Sequence, residues 1–208
     1  MEIRLLTGDD AIAYWEVRLE ALELEVEAFS SSAEEHRSLS VEDARTRLTS
    51  DPGNSFVVGA FDGKQLVGTA GFYREKGLKT RHKGHIWGVY VAREARGKGV
   101  GRSLLLALLE RSANIHGIEQ IGLSVTTTQP AAPALYRSLG FESFGCERKA
   151  LKIGDRYVDE EYMVLYVNDR TVSENQTRVA RDKKASSTFQ SRTPRQPSPR
   201  TAKPRNRY

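Results

Sequence analysis

Arg96-Gly97-Lys98-Gly99-Val100-Gly101-Arg102 is the stretch on which the reading of this chain turns. Immediately before it, Ile86-Trp87-Gly88-Val89-Tyr90-Val91 is short and rich in β-branched and aromatic residues, the composition of a strand. Immediately after it, Leu104, Leu105, Leu108 and Leu109 recur at helical spacing. The order is therefore strand, glycine-rich turn, helix. The start of a helix leaves backbone N–H groups without intrahelical acceptors, and the helix dipole adds partial positive charge there. Glycines let an anion come close to that backbone, and Arg96, Lys98 and Arg102 add formal charge around it. The expected ligand is a phosphorylated cofactor.

Spacing narrows the choice. A P-loop needs Gly-Lys followed by Ser or Thr, and Gly101-Arg102-Ser103 does not provide it. The dinucleotide pattern G-x-G-x-x-G fails because Arg102 occupies the place of its last glycine. The pattern that fits is R-x-x-G-x-G, carried by Arg96, Gly99 and Gly101. It resembles the acetyl-CoA signature of the GNAT superfamily, the Gcn5-related N-acetyltransferases. A second motif agrees: Ala132, then Leu135-Tyr136-Arg137-Ser138-Leu139-Gly140-Phe141, is similar to that superfamily's A-x-x-L-Y-x-x-x-G-F element.

The resemblance covers about residues 2–167 and implies a mixed α/β fold. Its core would be a mostly antiparallel, strongly twisted sheet of six to seven strands, flanked by about four helices. It also implies acetyl-CoA as co-substrate, with no metal. The pantetheine arm would pair with the backbone of Val89, Tyr90 and Val91, where the strand splays from its neighbour. The pyrophosphate would sit on Gly97, Lys98, Gly99, Val100, Gly101 and Arg102, and Gln129, where the family usually has Asn, would touch the cofactor. Gly88 marks either a bulge in that strand or a packing gap.

Direct acetyl transfer requires a neutral amine, a donor for the developing oxyanion and an acid for the departing thiolate. Tyr136 resembles the family's general acid, against the alternative of a core tyrosine with its hydroxyl at the rim. Some members carry a Glu base in the strand before the tyrosine helix, where this chain has Ser124. His85 matches a second position used for that base; histidine as a residue type exchanges protons near neutral pH. A surface histidine beside the basic run Arg81-His82-Lys83 explains it as well. For the acceptor, Glu23, Glu25, Glu27, Phe29, Asp159, Glu160 and Glu161 would draw a cationic amine, or are simply solvated. Alternation along the strand puts Trp87 and Tyr90 on opposite faces, so one of them at most walls the pocket.

The rest of the chain fits this frame. Glu2–Leu6 reads as a strand, and Ile12, Trp15, Leu19 and Leu22 as one face of a helix broken at Ser30-Ser31-Ser32. Ser40-Val41-Glu42-Asp43 resembles a capping box for a second short helix ending near Leu48. Ser55–Phe61 and Gln65–Tyr73 form a hairpin about Asp62-Gly63. Gln120–Thr126 is a strand, Gln129–Leu139 a short helix, and Phe144–Ile153 with Arg156–Val167 a final hairpin.

Charge is divided unevenly along the 208 residues. From Arg170 onward, 11 Lys and Arg face only Glu174 and Asp182, a net of +9, which leaves −4 for residues 1–169 of the total +5. Four of the seven prolines also lie there. We therefore expect an N-acetyltransferase domain over residues 1–168 and a basic, Pro/Ser-rich disordered tail over 169–208. That tail is either a solvated extension or a tether to nucleic acid, the one route to a nucleic-acid partner. Cys146 stands alone, and neither a secretory leader nor a membrane span is legible, so a cytoplasmic enzyme is expected. Its partner would be a small-molecule or peptide amine; a homodimer is left open. The competing reading is a regulatory module that binds acetyl-CoA without catalysis.

Overall fold

The computed structural model describes residues 1–128 and 130–167. Gln129 and the tail therefore lie outside the described residues, and so do the expectations placed on them. In chain order the elements are β1 (Glu2–Leu5), α1 (Ala11–Leu24), α2 (Ala33–Arg37), α3 (Val41–Thr49), β2 (Ser55–Asp62), β3 (Gln65–Arg74) and β4 (Lys83–Val91). There follow α4 (Val100–Ala113), β5 (Gln120–Thr126), α5 (Ala131–Ser138), β6 (Glu142–Ile153) and β7 (Arg156–Tyr166). The seven strands form one sheet in the order β1-β2-β3-β4-β5-β7-β6, antiparallel except for β4 against β5. This is the mixed, mostly antiparallel architecture expected.

Local chemistry sets most boundaries. Ser40 caps α3 by accepting from the Asp43 N–H, while Asp43 accepts from the Ser40 N–H at 2.7 Å. The same box at Ser32 and Glu35 starts α2, a helix too short for an apolar periodicity to reveal. α1 ends at Leu24, earlier than the serine run suggested. The β2–β3 hairpin closes on the pair Asp62–Gln65, so its loop is Gly63-Lys64, one residue beyond the expected turn. Gly63 takes φ 60° at the first loop position, which a side chain would resist.

The core lies on both faces of the sheet. On one, Leu104, Leu105, Leu108 and Leu109 of α4 are fully buried beneath β2 to β4. On the other, Tyr14, Val17 and Ala21 of α1 pack with Ala44 and Leu48 of α3. Burying a leucine contributes about 1.5–3 kcal/mol, so the α4 face holds the glycine turn in place through its own core.

β4 is irregular where the site begins. Thr69 pairs with Tyr90 and Gly71 with Trp87, so Ala70 alone faces both Gly88 and Val89. This is a β-bulge, and Gly88 sits in it at φ 61°. The Thr69 hydroxyl donates to the Gly88 carbonyl at 3.2 Å, satisfying an acceptor that the bulge frees. The extra residue also resets the alternation. Trp87 lies against Gly71 and beneath Arg47 of α3, while the Tyr90 hydroxyl donates to Glu20 of α1 at 2.7 Å. Both rings therefore face the α1–α3 layer, contrary to the expectation of opposite faces.

Candidate active site

β4 and β5 pair only at Lys83–Gln120, Gly84–Ile121 and His85–Gly122. Beyond that point each keeps its other partner: β4 stays on β3 as far as Val91, and β5 on β7 as far as Thr126. The two strands thus diverge without losing the sheet. The wedge between them holds a cleft of about 90 Å³. Gly88 and Val89 line one wall, Ser124 and Val125 the other, with Phe29 and Tyr136 closing it.

The glycine turn stands at the open end of this wedge. Gly97 and Gly99 adopt φ 73° and 77°, left-handed values that a Cβ disfavours. Gly99 is the N-cap of α4, with no side chain capping it, and its carbonyl accepts from Ser103 at 3.0 Å. The N–H groups of Val100, Gly101 and Arg102 precede that first helical bond, in the position from which a helix start holds an anion. Gly101 is helical, and its open flank faces Leu135 of α5 and Val91 of β4. Lys98 is exposed, and Arg102 bonds the Ser138 hydroxyl of α5 at 3.1 Å.

Arg96 braces the turn. Its Nε donates to the Val91 carbonyl at 2.8 Å and its Nη2 to Glu25 at 2.9 Å, tying the turn to the end of α1. Its charge is thus directed to Glu25 and away from the open helix start. The Val91 carbonyl is likewise engaged by Arg96.

Tyr136 is buried on α5, edge-on to Phe141, and reaches the cleft. Burial alone pushes its phenol well above the ordinary tyrosine range. The hydroxyl therefore stays protonated and can donate throughout neutral pH.

His85 lies at the closed end of the wedge, on the α1–α3 face. Its ring stacks on Tyr73 at 5.0 Å, and Nε2 bonds Glu75 at 2.7 Å. The His85 bond is the main reason the Glu75 carboxyl lies below its usual range. His85 does not line the cleft with Tyr136; the geometry brings Tyr136, Ser124 and Val89 together, sets Gly101 of the turn beside Val91 and Leu135 outside the cleft lining, and leaves His85 at the strand's paired end. Glu75 was invisible as its partner because it lies across the β3–β4 connection.

The acidic residues expected to attract an amine are mostly occupied. Glu23 pairs with Arg37, Glu25 with Arg93 and Arg96, Glu27 with Arg156, and Glu161 with Arg137. Asp159 accepts from the Lys149 N–H at 2.7 Å. Among the described residues, no group of three or more His, Cys, Asp or Glu is placed to hold a metal ion, and no helix is long and apolar enough to cross a membrane.

A strand wedge opening on a glycine-rich helix start defines a fold class that comparison makes specific. Residues 18–141 match the model of the Acetyltransferase (GNAT) family, and the chain belongs to that family. It is 37% identical over 111 residues to the N-alpha-acetyltransferase RimI of Mycobacterium tuberculosis, covering 53% of this chain and 66% of that protein. It is 36% identical over 77 residues to an L-methionine sulfoximine/L-methionine sulfone acetyltransferase of Pseudomonas aeruginosa, covering 37% of this chain and 44% of that one. The chain thus spans less than two thirds of each relative. In structure it is similar to the putative acetyltransferase yncA of Salmonella typhimurium, solved with its cofactor acetyl-CoA. That match has a TM-score of 0.72 and 22% identity, and covers 81% of this chain and 95% of the other.

Proposed function

We propose that this protein transfers an acetyl group directly from acetyl-CoA to a primary amine of a small molecule or protein. The observation that carries this reading is the β4–β5 wedge, with the glycine turn at its mouth and Tyr136 on its wall. In this reading the turn from Gly97 to Arg102 holds the pyrophosphate, and Val89, Tyr90 and Val91 present backbone to the pantetheine arm. The thioester then lies in the wedge, with Tyr136 in position to donate to the departing thiolate. The likeness to RimI, and the acetyl-CoA bound to a protein of the same fold, favour this cofactor.

His85 is the base of this scheme, acting through water. With Nε2–H donating to Glu75, Nδ1 is left as the acceptor, and Nδ1 lies beside Gly122 on β5. From His85 to Gly88 is three residues, about 10 Å of strand, so the proton needs a chain of two or more bridging waters. No covalent enzyme intermediate is required, because the amine attacks the thioester carbonyl directly. Residues 1–168 carry this activity, and the tail is dispensable to it.

A thiol-release assay with acetyl-CoA and a panel of amino acids, peptides, polyamines and aminoglycosides tests the proposal. Amine-dependent release, with the acetylated amine found by mass spectrometry, is the expected result. Tight acetyl-CoA binding without release to any amine would favour the regulatory module instead.

A further inference from the structure

A second space, of about 710 Å³, is far larger than the wedge; it is bounded mainly by α1, α2 and α3, a size suited to a small molecule. Tyr14, Trp15, Leu22 and Leu39 give it apolar and aromatic walls. Arg18 and Arg47 give it charge.

Arg18 is the unusual member. Its Nη1 is buried and has no hydrogen-bond partner among the described residues. A buried donor left without a partner is costly, more so when it is charged, so such a group is retained where something fills it. The ionisable groups that bear on it are Tyr14, a neutral phenol at neutral pH, and the cation Arg47, and neither is a carboxylate. Two carboxylates do line the cavity, Glu35 and Asp43, but both are consumed as helix caps by Ser32 and Ser40. Burial pulls the Arg18 guanidinium below its usual range, and Arg47 adds to the effect. An anion would relieve both.

Arg18 also joins the cavity to the wedge. Its guanidinium lies over the Phe29 ring at 4.3 Å, and a Cβ on Gly88 would stand 3.7 Å from Nη1. Phe29 and Gly88 both line the wedge. The bulge at Gly88 thus stands beside a half-buried cation whose Nη1 is fully buried. Arg47 stands over the Trp87 ring at 5.3 Å on the same face.

We propose that the α1–α2–α3 cavity is the acceptor's binding site, and that Arg18, with Arg47 beside it, receives a carboxylate on the acceptor. The acceptor is then a small amine of amino-acid type, its side chain in the aromatic cavity and its amino group turned over Gly88 toward the thioester. Because Arg18 borders the wedge itself, the amine and the carboxylate must lie close together, as on one carbon. A guanidinium fork suits a planar carboxylate, which it can hold through two parallel bonds. Polyamines, which carry only positive charge, are rejected by the same two arginines. This inference rests on the acetyltransferase reading above and names its substrate class.

Matched acceptors test it on the full chain: L-phenylalanine and L-leucine, their amides, and the corresponding amines lacking the carboxylate. The expected result is kcat/KM at least tenfold higher for the acids than for the amides. In Arg18→Gln the preference should disappear through KM, with the Kd for acetyl-CoA unchanged. Amides and amines used as well as the acids would overturn the inference while leaving the acetyltransferase intact, and so would an Arg18→Gln enzyme that keeps the preference. If no amine is turned over, the activity fails on its own, and binding decides. Quenching of Trp15 and Trp87 fluorescence by L-phenylalanine but not by its amide, in the presence of coenzyme A, supports the site; equal or absent quenching refutes it. Should Arg18→Gln fail to fold, the exposed Arg47→Gln serves in its place, with a weaker loss of preference expected.

Discussion

Replacing the glycines of the turn before α4 one at a time should move stability and, on the proposed function, acetyl-CoA affinity in separable ways. At Gly99, φ is 77° and no atom lies within 4 Å of the place a Cβ would take. Alanine there meets no clash in the protein, so its cost is backbone strain alone, about 1–2 kcal/mol. For a domain of this size that lowers Tm by about 2–8 °C. Gly101 is the opposite case. It is helical, and its Cβ would stand 3.5 Å from Leu135 Cδ2 and 3.7 Å from Val91 Cγ2, ordinary packing distances. Glycine to alanine inside a helix stabilises by about 0.5–1 kcal/mol, so Gly101→Ala should raise Tm by about 1–4 °C. Gly99→Asn should cost less than Gly99→Ala, because asparagine tolerates the left-handed region. Affinity should fall in all three, since each adds atoms where phosphate must approach. One charge-assisted hydrogen bond is worth about 1.5–3 kcal/mol, or ~10–150-fold in Kd. Thermal melts followed by circular dichroism give the first quantity, and calorimetric titration with acetyl-CoA the second. A Gly101→Ala protein that melts below the wild type would refute the packing argument. Undiminished affinity in every variant would refute the turn as the phosphate site.

Tyr136→Phe should preserve Tm and acetyl-CoA affinity but slow turnover by roughly 10²–10⁴-fold, as steady-state kinetics would show; wild-type turnover would mean the thiolate leaves unaided. His85→Ala should slow turnover at neutral pH while His82→Ala, in the neighbouring loop, does not, and Glu75→Gln should follow His85→Ala; equal rates for the two histidine variants would remove His85 from the mechanism. Asp10 is held at about 2, against a usual 3.8, chiefly by its hydrogen bond to Arg4. A depressed carboxylate stabilises fully above its unfolded value and loses that contribution as pH falls through its folded one. Asp10→Asn should therefore lower stability at neutral pH by about 1–2 kcal/mol, allowing for the partly exposed Arg4. The difference in chemical-denaturation stability from wild type should close as pH falls from 4 toward 2, within the window those two values set. A chain ending at Val167 should melt at the wild-type temperature and keep full activity on a small amine; a large fall in Tm would show that the tail packs on the domain.

What could be read from the order of residues was whatever depends on near neighbours. A glycine turn between a strand and an apolar helix is set by residues all within about thirty positions, so the geometry at Gly97 to Gly101 was legible. The same holds for the Ser40–Asp43 box, the hairpins, and Tyr136 one helix beyond β5. Positions decided by contacts between distant segments were not legible. Glu23, Glu25 and Glu27 look like a lure for cations until Arg37, Arg96 and Arg156 fold back on them. Trp87 and Tyr90 share a face only because one extra residue in β4, set against Ala70, shifts the alternation. Arg18 and Arg47 stand 29 positions apart on two helices, each unremarkable in its own segment. Packing α1 against α3 buries one guanidinium beside the other, and charge sign at a site is a sum over space that no run along the chain displays.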